Sequence, residues 1–286
     1  MIRLLLTVCA VLFAILFPSL ARDWQAVGFL AIVATVGMAH GSLDHLVENG
    51  RNGGMRFREL VRFYGYYLLV AAAVGLLWWF DSSVGLILFL LTSAYHFGQS
   101  ELRDSGDQTW SIRLMRVTWG SALLVIPAVF HAHSLSSDLS AIGVHLEANA
   151  LQNIGQIALG ASGFLYLGGL LMGAYDRFMA LRAGFAWLAY ASIFVLTPPL
   201  WGIALYFGIW HSWPALQTLA RELRLSDFQS WFRALAPNYL ASLIAMAIWI
   251  TFGWQQGMPV LVTGTLILLS ALTVPHIYVF ERIYRD

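Results

Sequence analysis

The sequence predicts an all-α fold, a polytopic membrane helix bundle of about ten transmembrane helices. Three observations predict it: apolar runs of about 20 residues recur from end to end, 59% of the 286 residues are hydrophobic, and only 11% are charged. Soluble domains carry about a quarter charged residues, whereas about 20 apolar residues in a helix cross a ~30 Å hydrocarbon core. No linker, low-complexity tract or internal repeat interrupts the runs, so residues 1–286 read as a single integral-membrane helical domain.

The spans follow in order. Residues 3–20 form the first; Arg3, an apolar stretch and Pro18-Ser19-Leu20-Ala21 resemble a signal peptide, but further spans follow at once, so a first membrane helix is the expectation. The second, 24–47, runs into His40-Gly41-Ser42-Leu43-Asp44-His45. The third, 61–80, opens with Phe63, Tyr64, Tyr66 and Tyr67 and closes on Trp78-Trp79-Phe80, which fits an interfacial aromatic belt. Spans at 83–102, 112–132 and 150–173 come next, with His131, His133 and His145 in or beside a solvated outer loop. Pro198-Pro199, lacking backbone donors, marks a tight turn between 178–197 and 200–220; the last two spans are 238–254 and 258–281.

Arginine orients the chain, because cytoplasmic loops carry the basic excess. All sixteen basic residues are arginine. Arg3, the group Arg51, Arg56, Arg58 and Arg62, then Arg103, Arg113 and Arg116, Arg177 and Arg182, Arg221, Arg224 and Arg233, and finally Arg282 and Arg285 fall on alternate loops; only Arg22 falls on the other side. Both termini are therefore expected to be cytoplasmic. The net charge of +1 gives no sign of a nucleic-acid partner, and none is expected. A single cysteine, Cys9, excludes an internal disulfide and a cysteine metal site.

In this topology the second, fourth, eighth and tenth spans all run inward, and they carry His40, His96, His211 and His276 in turn. They precede the first arginine that follows by 11, 7, 10 and 6 residues, a scatter of about 8 Å at 1.5 Å rise per residue. One layer near the cytoplasmic side is the expectation. Lipid tolerates such side chains only where they face protein or a water-filled cavity, and neutral imidazole is the commonest protein metal ligand. These four are therefore candidate metal ligands, with His45, five residues on and some 140° around the helix from His40, a lesser one. Ligating imidazoles need an orienting partner on the second ring nitrogen. Asp44, four residues after His40, is expected to share its helix face. Glu101, five after His96, is the other candidate, with a solvated helix end the equal alternative. Tyr95, Phe97, Tyr206, Phe207 and Trp210 flank the histidines and are candidate lining for a long apolar ligand. Pro214 and Pro275, beside His211 and His276, can kink their helices there.

His40-Gly41-Ser42-Leu43-Asp44-His45, Tyr95-His96-Phe97-Gly98, Trp210-His211-Ser212 and Pro275-His276 with Glu281-Arg282, together with Pro198-Pro199 and Tyr206-Phe207-Gly208, are similar to motifs of the Brp/Blh family of membrane carotene-cleaving enzymes. The resemblance implies an oxidoreductase, a non-haem iron dioxygenase of the prokaryotic cytoplasmic (inner) membrane. It implies Fe(2+) as cofactor, with O2, a carotenoid and membrane lipid as partners. The reaction implied is cleavage of β-carotene at its central 15,15′ double bond to give retinal, with a functional link to a rhodopsin. Carried over by motif, the iron ligands are His40, His96 and His211. The family pattern places a second histidine four residues after the third; here that residue is Ala215. Either His276 completes the set, or three histidines serve with water, or the chemistry has changed; iron retained with His276 as fourth ligand is the expectation. Ala215 keeps a second reading alive, a non-catalytic carotenoid- or retinal-binding protein assisting retinal-protein assembly. A metal or proton transporter fits less well, because acidic residues sit almost entirely at helix ends and loops.

Overall fold

Proline and capping residues set most of the helix limits. The structure is a computed structural model that describes residues 2–51, 56–102 and 109–283. Arg103 and Arg285, used above for orientation, lie outside the described residues, as do the side chains of Arg51 and Arg282. α1 (Ile2–Leu16) stops where Pro18, at the first position of α2 (Pro18–Ile32), has no backbone N–H to continue it. The first boundary therefore falls four residues earlier than expected. α2 passes through a π-helical turn (Val33–Gly37) into the short α3 (Met38–Gly41); after Ser42-Leu43 the chain restarts as α4 (Asp44–Arg51).

α5 (Phe57–Phe80) begins where Glu59 accepts from the Arg56 backbone N–H, 2.7 Å away. α6 (Ser82–Glu101) is capped by Asp81, whose carboxylate accepts from the N–H groups of Ser83 and Val84. α7 (Trp110–Leu124) is followed by the short α8 (Ile126–Phe130) and α9 (Ala132–Ser140), so the expected outer loop is helical. His131 bonds the Phe194 carbonyl at 2.8 Å and is half-buried, whereas His133 and His145 are exposed as expected. α10 (Ala148–Leu171) and α11 (Arg177–Leu196) form the next pair, and the diproline turn opens α12 (Pro199–Leu205). A second π-helical turn (Tyr206–Ser212) leads into α13 (Trp213–Glu222). α14 (Phe228–Trp254) starts ten residues before the expected span, capped by Asp227, and runs through Pro237. α15 (Met258–Ile283) contains Pro275.

Among the described residues the fold is all-helical, with no strand. Among the described residues seven helices are long and apolar enough to cross a membrane: Pro18–Asn49, Phe57–Phe80, Trp110–Phe130, Ala148–Leu171, Arg177–Leu196, Phe228–Trp254 and Met258–Glu281. The other three expected spans coincide with α1, α6 and the α12–α13 rod, which are shorter or more polar. Large apolar side chains project outward along the bundle, among them Phe164, Leu171, Phe185, Ile244 and Phe252. So many exposed large apolar side chains suit lipid rather than water. Trp79 is among these exposed residues, but Trp78, expected in the same belt, is buried and donates to Ser270 Oγ at 3.0 Å.

Three apolar clusters enclose the centre. One joins α6, α7 and α11 around Trp119, Tyr190 and Tyr206. A second joins α3, α4, α13 and α15 around Leu43, Leu219 and Phe280. The third joins α2, α12, α14 and α15 around Phe29, Met246 and Leu261. Glycine sets the closest approach: a Cβ on Gly98 would overlap the Arg116 carbonyl of α7, and one on Gly120 the Ala94 carbonyl of α6. Those backbone contacts flank His96.

Candidate metal centre

Both π-helical turns lie at histidines. Such turns insert one residue into the α-helical ladder and occur frequently at functional sites. The first ends three residues before His40, and the second contains His211. The two turns pack on each other through glycine: a Cβ on Gly37 would meet Phe207 Cε1 at 2.6 Å, and one on Gly208 would meet Ile32 Cγ2 at 2.6 Å. His40, just past the first turn, and His211, within the second, face the same interior space.

The four predicted histidines meet there. Ring centroids are separated by 4.9 Å for His40 and His276, 5.1 Å for His96 and His276, 4.8 Å for His96 and His211, and 5.4 Å for His40 and His211. Adjacent rings stand nearly perpendicular, at 78° to 87°. All four are buried, and none exceeds 6% exposure. His40, His96 and His276 each offer a nitrogen within 4.8 Å of the others, with His211 bordering the group through His40 and His96. His40 Nδ1, both nitrogens of His96, His211 Nδ1 and His276 Nε2 are buried without a hydrogen-bond partner. Unpaired buried polar atoms cost roughly 1–3 kcal/mol each, and a cation shared among the rings would relieve several at once. Ligand nitrogens on opposite sides of one ion would lie about 4.2 Å apart at the ~2.1 Å typical of metal–imidazole bonds. The donor set therefore fits a metal ion.

The carboxylates fall differently from expectation. Asp44 does not orient His40. The break at Ser42-Leu43 interrupts the helix between them, so the face-sharing rule for residues four apart does not apply, and Asp44 points toward α15. Its Oδ1 and Oδ2 lie 2.9 and 2.8 Å from His276 Nδ1, and Oδ2 also accepts from Tyr67 Oη at 3.0 Å. Glu101 accepts from Tyr190 Oη at 3.1 Å. His45, the lesser candidate, has its Nδ1 2.7 Å from Asn238 Nδ2 and stacks on Tyr64.

Of the five predicted lining aromatics, two border the histidines. Phe97 meets His211 edge-on at 4.9 Å; Phe207 stacks on His211 at 5.7 Å and meets His40 at 5.9 Å. Tyr206 packs behind Phe97 against Tyr190 and Phe194. Trp210 turns away toward α1, donating to Thr7 Oγ1 at 2.9 Å beneath the Arg3 guanidinium. Tyr95 donates to Glu281 Oε2 at 2.7 Å.

A family model described as beta-carotene 15,15′-dioxygenase matches residues 31–284, a stretch that contains all four histidines. The chain belongs to this family. A beta-carotene 15,15′-dioxygenase from Uncultured marine bacterium 66A03 is 34% identical over 84 residues. That alignment covers 29% of this chain and 30% of the relative. No solved structure matches.

For this family member, three residues at the centre escaped the sequence reading. Phe280 packs on His276 at 4.4 Å and on His96 at 5.6 Å; its place four residues after His276, on the same face, was the available signal. Gln99, fully buried, donates to Glu281 Oε2, the oxygen that Tyr95 also reaches. Tyr67 on Asp44 carried no signal beyond its place in an aromatic-rich helix. Ala215, four residues after His211, is buried in the apolar cluster with Leu216 and Phe280.

Proposed function

We propose that this protein is an iron-dependent oxygenase that cleaves β-carotene, or a closely related carotenoid, at the central 15,15′ double bond to give retinal. One observation carries the reading: in a chain of the beta-carotene 15,15′-dioxygenase family, four buried imidazoles from separate helices converge with unpartnered nitrogens. The overall reaction balances as one C40 carotene plus O2 giving two C20 aldehydes, with no water, base or nucleophile consumed.

His40, His96, His211 and His276 would hold the iron. When bound, Fe(II) on neutral imidazoles with an open position supplies a centre that binds and activates dioxygen. The chain's own part is placement and exclusion. Phe97, Phe207 and Phe280 close three sides of the histidine cluster with hydrocarbon, which keeps water from reactive oxygen species. Their faces also suit a conjugated polyene, since apolar pockets with few polar anchors hold such ligands. A water-insoluble substrate can enter from the bilayer through the apolar flank of the bundle. The same reading places the protein in a prokaryotic cytoplasmic membrane, with its retinal available to a rhodopsin.

Ala215 supports a second reading, a carotenoid- or retinal-binding protein without catalysis. Expression in a carotene-accumulating bacterial host separates the two. The enzyme reading expects loss of pigment and appearance of retinal, both abolished in His96→Ala and His211→Ala. Carotenoid that persists and co-purifies with the unmodified protein would overturn it in favour of binding alone.

A further inference from the structure

We propose that Asp44 and Tyr67 are positioning residues that make His276 a metal donor by fixing its tautomer. The proposal rests on the metal reading above and deepens it. A carboxylate can only accept, so the contacts from both Asp44 oxygens to His276 Nδ1 put the ring proton on Nδ1 and leave the lone pair on Nε2. Nε2 is the buried nitrogen without a partner, and His276 sits in the group with His40 and His96. Asp44 is 2% exposed and is itself held by the Tyr67 hydroxyl. The Tyr67 hydroxyl also lies 3.4 Å from the Leu272 carbonyl, one turn before His276. The chain of contacts runs from α5 through Asp44 at the start of α4 to α15, and ends at the donor nitrogen. Carboxylate partners of this kind raise ligand basicity and fix ring orientation, and losing one typically costs 10–100-fold in metal affinity.

The test uses the full-length protein in detergent, stripped with a chelator and titrated with cobalt(II) alone, whose visible absorption reports ligation. Asp44→Asn keeps the volume but can turn its amide N–H toward the imidazole, favouring the tautomer with the proton on Nε2. A loss of about 10–100-fold in cobalt affinity is expected for Asp44→Asn, and a smaller loss, several-fold, for Tyr67→Phe. The decisive readout is the double-mutant cycle: in a His276→Ala background both substitutions should have no further effect on cobalt affinity. A general structural role would persist undiminished in that background and would overturn the proposal, as would unchanged affinity in both single variants. Should Asp44→Asn fail to fold, the Tyr67→Phe cycle alone decides. If His276→Ala binds cobalt normally while His96→Ala does not, a three-histidine site survives and this proposal fails. If the wild-type protein binds no cobalt, the metal reading fails with it.

Discussion

Replacing Gly98 by alanine tests whether the α6–α7 contact holds His96 in place. A Cβ at this position would fall within the van der Waals shell of the Arg116 carbonyl, and the obstacle is backbone, so no rotamer change can relieve it. To reach the ~3.5 Å separation of non-bonded atoms, α6 and α7 must part by more than about 1 Å. The neighbouring contact of Gly120 with the Ala94 carbonyl opens as well. Overpacking of this kind costs about 1–3 kcal/mol, occasionally more, and the absence of side-chain relief puts Gly98→Ala at about 3 kcal/mol or above. His96 lies two residues away on the moving helix. A displacement of about 1 Å at a reacting centre can cost 10²-fold in rate, so retinal production should fall further than protein abundance does. Thermal unfolding in detergent reads the first effect, and retinal formed per unit of purified protein reads the second. Wild-type unfolding temperature together with wild-type retinal yield would refute the reasoning.

Three further outcomes are expected. Gly208→Ala should be milder, at about 1–2 kcal/mol, because the 2.6 Å contact is with a side-chain methyl of Ile32 rather than with backbone; unfolding temperature checks it. Trp210→Phe removes the hydrogen bond to Thr7 but leaves the histidines untouched, so metal content should match wild type, measured by elemental analysis of the purified protein. The arginine distribution predicts that reporters fused to either terminus read as cytoplasmic; a periplasmic signal from either would contradict that topology.

The grouping of the four histidines was legible in the sequence, because each precedes the next arginine by a similar number of residues and rise per residue is constant; the structure brings His40, His96, His211 and His276 together. Facing was not legible. The π-helical turns at Val33–Gly37 and Tyr206–Ser212 shift helical phase by an amount no regular periodicity carries. Asp44 shows the same limit: its spacing from His40 suggested a shared face, but a two-residue break hands it to His276, 232 residues along the chain. Helix limits failed in the predictable places. Pro18 ended α1 early, and α14, capped by Asp227, begins ten residues before the expected span.

Four histidines converging on one ion is the claim on which the functional reading stands, and X-ray absorption at the iron edge of the reconstituted protein probes it most directly. One iron per chain is expected, with outer-shell scattering from three or four imidazoles and a loss of that scattering in His40→Ala, His96→Ala and His276→Ala. Iron bound without imidazole scattering, or with a spectrum indifferent to all three substitutions, would contradict it.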